Sequence, residues 1–272
     1  MDKVASTRWP EDTSFARAPC GESRSDSRIT VTVRCFGEFR LSGADGFTDA
    51  PVAKRGRELL QYLVLRPHQS VSRARLYESF WPDADEDAVA HRLHIAASGA
   101  RSYLRALLDG FDAIRCTADG YAWNPAVHVS SDVRRFVELY ESESPTSHKR
   151  AITLYGGELF EGETADWLQP ARVKYAAMYT SMVEGLATTA FDDRSFEAAL
   201  YYGLELLAID RAHEGASRLV MRSFGALGRR APAMAEYEAL RTHLKKYLAV
   251  EPMLETQRVI EAIMKGESPA DR

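Results

Sequence analysis

Cysteine is scarce in this sequence: Cys20, Cys35 and Cys116 are the only three in 272 residues. The number is odd and no CxxC pair occurs, which excludes a disulfide framework and leaves a zinc site without ligand spacing. Buried or incidental thiols in a reducing cytoplasm are expected instead. Long apolar runs are missing too, so no membrane-spanning segment is expected. The stretch before residue 29 has no apolar core of the secretory kind and reads as a disordered tail, its Trp9 and Phe15 undocked. A surplus of positive charge is also lacking. The formal net charge of −4 removes any whole-chain hint of a polyanionic partner, while leaving room for a local basic patch.

Catalytic constellations are equally absent. No Ser-His-Asp or Cys-His pattern is visible. Asp192 and Asp193 have no partner acid, base or metal cluster and read as a turn. "GGELFEGE" lacks the Lys-Ser/Thr of a phosphate loop, and His213 and His243 are isolated. An enzyme is the least supported class, and no metal or cofactor is expected.

What is present is ordinary globular composition, 45% hydrophobic and 27% charged, in a length that suits two domains. From Ile29, "ITVTVRCFGEFRLSG" alternates β-branched and polar residues and predicts a short strand pair. "AKRGRELLQYLVLRP" has helical apolar spacing and stops at Pro67. Ser72 is the expected N-cap of "RARLYESFW", which ends before Pro82. A third helix follows over 88–108, and then a hairpin over 113–124 with its turn at "ADG". Strands, three helices and a hairpin are the order of an α/β winged helix-turn-helix, assigned to 29–128. A boundary is expected in "PAVHVSSDVRRF", with no strand signal beyond it. The segment 132–265 reads as all-α, with Trp167 as an aromatic anchor and 266–272 as a tail. Ala199 and Ala233 occupy equivalent points 34 residues apart, the period of tetratricopeptide-like helix pairs.

The third helix, "HRLHIAASGARSYLRALL", carries the functional reading. At about 100° per residue, Leu93, Ala97, Ala100, Leu104 and Leu108 form one packing stripe. The opposite arc holds His91, His94, Ile95, Ser98, Arg101, Ser102 and Arg105, with Arg92 and Gly99 on a flank. No acid occurs between Ala88 and Leu108. A major groove admits one helix, and Arg, His and Ser donate to phosphates and base edges. A solvated face on a structural helix is the alternative reading of the same pattern. The small Ala97 and Ala100 imply either close neighbouring helices or a marginally stable domain. Lys54 and Arg55, with Arg57, open the first helix of this domain and suit a phosphate or simply a solvated helix end. Arg115 on the hairpin is a better phosphate or minor-groove candidate, or simply a surface residue.

These segments together resemble the Streptomyces antibiotic regulatory protein (SARP) family. The resemblance runs collinearly from about Ile29 to Ile263. It is carried by "LYESFWPD", by "GY" at Gly120–Tyr121, by Asp166, Trp167 and Arg172, and by "GRR…YEALRTHLKKYL". It implies an OmpR-like winged helix followed by a bacterial transcriptional activator domain of tetratricopeptide-like helices. It also implies a cytoplasmic, nucleoid-associated transcriptional activator of double-stranded DNA. Residues 88–108 would be the recognition helix and 113–124 the wing. Protomers would bind direct repeats in tandem, as a homodimer on DNA, and recruit RNA polymerase. Carried over by position, His91, Arg92, His94, Ser98, Arg101, Ser102 and Arg105 face DNA. Ala100 replaces the family's Leu, and Gly99 stands where a basic or polar reader is usual. These departures favour one alternative, a protein-interaction adaptor with weakened DNA readout; a second is a sensor whose small-molecule or protein effector, unspecified by the sequence, sits at the helical repeats.

Overall fold

The computed structural model describes residues 29–43, 46–47 and 52–267. Trp9, Phe15 and Cys20 lie outside the described residues, as does the expected C-terminal tail beyond residue 267. The alternating segment forms β1 (Ile29–Arg34), with Val31 and Val33 buried and Thr30, Thr32 and Arg34 exposed. Gly37 makes the left-handed turn (φ 79°), and β2 (Arg40–Gly43) returns antiparallel to β1, edged by β3 (Gly46–Phe47). Three helices follow: α1 (Lys54–Val64), α2 (Arg73–Phe80) and α3 (Glu86–Leu107). Ser72, in β4 (Val71–Ser72), caps α2 as expected, its hydroxyl accepting from the Arg75 amide at 3.3 Å.

The hairpin is β5 (Ile114–Cys116) and β6 (Gly120–Trp123), and β4 completes its sheet in the order β4-β6-β5. Gly120 is required here by its surroundings: a Cβ at this position would sit 1.8 Å from the Val71 carbonyl oxygen. The chain then enters β7 (Val127–Ser131), which lies parallel to β1 with Ile29 opposite Val127 and Val33 opposite Ser131. The first sheet is therefore β3-β2-β1-β7. This strand occupies the stretch read from sequence as a boundary. Its alternation is only five residues long, with Val127, Val129 and Ser131 buried.

The rest is helical: α4 (Asp132–Glu141), α5 (Pro145–Leu154), a 3-10 turn at Asp166–Leu168, α6 (Gln169–Asp192), α7 (Phe196–Ile209), α8 (Glu214–Ala226), α9 (Arg230–Leu248) and α10 (Leu254–Lys265). Ala199 and Ala233 are fully buried at matching points of α7 and α9, where a small side chain lets the stacked helices approach. Gly203 serves the same end, since a Cβ there would lie 2.6 Å from Val220. Among the described residues, no helix is long and apolar enough to cross a membrane.

One apolar core runs without interruption from Val31 through α1–α3 and the hairpin to Met182 in α6. Phe36, just after β1, packs on Phe136, Tyr155 and Tyr175 at ring distances of 5.0, 4.8 and 5.9 Å. The loop after α5 is strapped to the β1–β2 turn. The Gly37 amide donates to the Glu158 carbonyl, Phe160 to the Cys35 carbonyl and Glu161 to the Gly37 carbonyl, at 2.8–2.9 Å. Buried Arg172 locks that loop from beneath by donating to the carbonyls of Leu159, Phe160 and Glu163. The "GGELFEGE" segment is thus a clasp between the two halves of the chain.

Candidate nucleic-acid interface

The expected packing stripe is the buried side of α3: Leu93, Ala97, Ala100, Leu104 and Leu108 are all within the core. The slim middle of this helix has a partner. A Cβ added at Gly56 in α1 would lie 3.2 Å from both the Ala100 nitrogen and the Ala96 oxygen, so the two backbones meet closely there. Close neighbouring helices, not a void, explain the small residues. Gly99 is different, since a Cβ there would meet nothing within 4 Å.

The outward arc exposes His91, Arg92, His94, Ser98 and Ser102, with Ile95 among them at 57% exposure. Its N-terminal two-thirds therefore offers histidine, serine and Arg92 donors and one apolar side chain. Arg101 and Arg105 stand at the C-terminal end, against the wing. The Arg101 Nε donates to the Ile114 carbonyl at 3.3 Å, and its guanidinium lies over the Tyr121 ring at 5.6 Å. Arg105 pairs with Asp112 through Nε at 2.5 Å and Nη2 at 2.8 Å. That pairing holds the Asp112 carboxyl below the usual carboxylate range. Arg115 projects from β5, exposed. The three arginines line a single concavity with Asp112 and Asn124.

The structure thus gathers Arg101, Arg105 and Arg115 at the junction of α3 and the wing, and leaves Lys54 and Arg55 elsewhere. Lys54 is exposed at the start of α1. Arg55 pairs with Glu58 at 2.5 Å and lies over the Trp81 ring at 5.2 Å, so it is engaged where α1, α2 and the 3-10 turn meet. Sequence reading missed two residues here. Arg73 grips the wing turn, donating to the Ala118 carbonyl at 2.8 Å and to the Cys116 sulfur at 3.3 Å. Asp112 lies beyond the end of α3 and reaches Arg105 only because Asp109 and Gly110, both at positive φ, reverse the chain. The "LDGFD" turn was the available signal for that reversal.

The fold is a winged helix-turn-helix joined by a shared core to stacked helix pairs. Residues 132–264 match the model of the bacterial transcriptional activator domain. That match, over just under half of the chain, assigns residues 132–264 to a bacterial transcriptional activator domain. The chain's structure is similar to that of Mycobacterium tuberculosis EmbR in complex with a low-affinity phosphopeptide, with a TM-score of 0.68 and 15% identity. The match covers 87% of this chain but only 65% of that one, and at such identity the likeness is one of fold. The C-terminal TPR-containing domain of a Plasmodium falciparum FK506-binding protein matches 49% of this chain and 89% of its own length at 15% identity. Its TM-score of 0.36 carries no argument. No curated protein matches the chain.

Proposed function

We propose that the protein is a sequence-specific DNA-binding activator whose α3 enters the major groove while the β5–β6 hairpin reaches the adjacent minor groove. The observation that carries this reading is the exposed arc of α3, free of acids from Ala88 onward, leading to Arg101, Arg105 and Arg115 beside the wing. In this reading the arginines meet backbone phosphates, and His94 and Ser98, nearer the helix middle, meet base edges. Arg92 and His91 flank the groove, and Ser102 meets the backbone. Tandem protomers occupy direct repeats as a homodimer on DNA. The helices of 132–265 form the surface for RNA polymerase or for a protein or small-molecule effector, a role drawn from the family resemblance. The protein works at the nucleoid.

The test is duplex binding across a salt series. Removing one arginine–phosphate pair should flatten the log–log salt dependence by about 0.9. Arg101→Ala with Arg105→Ala should therefore weaken binding to all sequences and flatten the slope. His94→Ala or Ser98→Ala should instead change which fragments are selected from genomic DNA. Unchanged binding by the double arginine variant would remove α3 from the interface.

A further inference from the structure

The concavity between the end of α3 and β5 has a volume of about 290 Å³. At roughly 30 Å³ per water it has room for a hydrated phosphate group. Three arginines line it, and Asp112 is the one acid among the residues lining it. The Asp112 carboxylate does not sit at random within this set. Its two oxygens meet Nε and Nη2 of Arg105 side by side, at 2.5 and 2.8 Å, the two-point geometry by which an arginine also holds a phosphate. The backbone of Asp112 is fixed independently: its carbonyl accepts from the Asn124 side-chain amide at 3.0 Å, and the Asn124 amide donates to the Ala113 carbonyl at 2.8 Å. The loop therefore presents the carboxylate to Arg105. Both side chains of the pair are about half exposed, 52% and 55%, so the pair stands in water and exchanges easily.

We propose that Asp112 is an internal surrogate for a nucleic-acid phosphate, occupying in the free protein a seat formed by Arg101, Arg105 and Arg115 that a backbone phosphate must take from it. The surrogate brakes binding that is driven by phosphates. While Arg105 is held by Asp112 it neutralises no phosphate, so fewer of the cations condensed on the DNA are released and Arg105 adds less to affinity and to salt dependence. This inference rests on the reading of α3 as the DNA-binding helix.

The experiment compares the full chain with D112N, R105A and the R105A/D112N double variant, using a duplex of arbitrary sequence at low salt. D112N should bind about two- to five-fold tighter, the worth of an exposed ion pair. Its salt dependence should steepen by about 0.9, one phosphate's share. On the R105A background the same change should give no gain. Equal gains on both backgrounds would mean that a negative charge was merely removed, and the surrogate role would fall. An unchanged affinity for D112N would also overturn it. A second arm titrates inorganic phosphate and follows the Arg105 Nε–H resonance. Phosphate should bind D112N more tightly than the unsubstituted chain. If the unsubstituted chain bound no duplex but this difference appeared, the DNA reading would fail and the surrogate would stand. Equal phosphate binding by the two proteins would end the proposal.

Discussion

The indole N–H of Trp167 donates to Glu58 Oε1 at 3.0 Å, joining the 3-10 turn ahead of α6 to the first helix of the winged domain. Glu58 is only 5% exposed and also takes the Arg55 guanidinium, while the Trp167 ring packs on Tyr62 and Phe80. A buried carboxylate needs its donors. Trp167→Phe keeps an aromatic ring but leaves Glu58 one N–H short. It should cost about 1.5–3 kcal/mol, the range for a hydrogen bond to a charged group, measured as a shift in the urea midpoint. Because the core is continuous from Val31 to Met182, the winged domain and α4–α6 should unfold in one transition.

Arg172 is the stronger anchor. Its Nε and Nη2 donate to three carbonyls of the clasp at 2.9–3.0 Å, with the side chain nearly buried. Arg172→Met should destabilise the protein by about 3 kcal/mol, because three inward-facing oxygens are deprived of their donors together. Arg172→Lys should not rescue it, since an ammonium cannot reproduce the planar fork. Thermal unfolding of both variants checks this, and a fully stable lysine variant would contradict it.

Glycine substitutions should have opposite signs at different places. Gly99→Ala introduces a Cβ into open space and should stabilise α3 by about 1 kcal/mol. Gly120→Ala drives a Cβ to 1.8 Å from the Val71 oxygen and should unseat the wing from β4. Stability of the two variants by chemical denaturation gives the signs. Failure of a stabilised Gly99→Ala to bind duplex would assign Gly99 to close approach of the DNA.

The carboxylate of Asp132 accepts the amides of Cys35 at 2.9 Å, Phe36 at 3.0 Å and Val133 at 2.8 Å, closing the β1–α4 joint. Burial pushes its pKa above the ordinary carboxylate value, with the amide bonds opposing. A raised pKa in the folded state means that folding takes up a proton between the unfolded and folded values. Stability from this group therefore rises as pH falls through its folded pKa. The advantage of the unsubstituted protein over Asp132→Asn should grow from pH 7 towards pH 4 in paired urea titrations. A shrinking difference would reverse the sign argued here.

Much of the candidate interface was legible because it depends on local periodicity. The stripe from Leu93 to Leu108 and the exposed His91, His94 and Ser98 follow from helical spacing alone. Ser72 as a cap and Gly120 in the wing were equally visible. Arg55 was not, because its engagement with Trp81 depends on where α2 ends relative to α1. Asp112 was not, because its charge matters only after the chain has reversed.

The sequence by itself determined the order of elements apart from β7, the amphipathic character of α3 and the pairing of helices at the 34-residue period, since each is written in the spacing of neighbours along the chain. Tertiary structure alone decided which arginines converge, which acid answers them and how the halves are joined. The bonds responsible link residues 97 apart in Cys35–Asp132 and 109 apart in Glu58–Trp167. No local pattern encodes such pairs. They arise when buried polar groups, brought together by packing, must find one another rather than water.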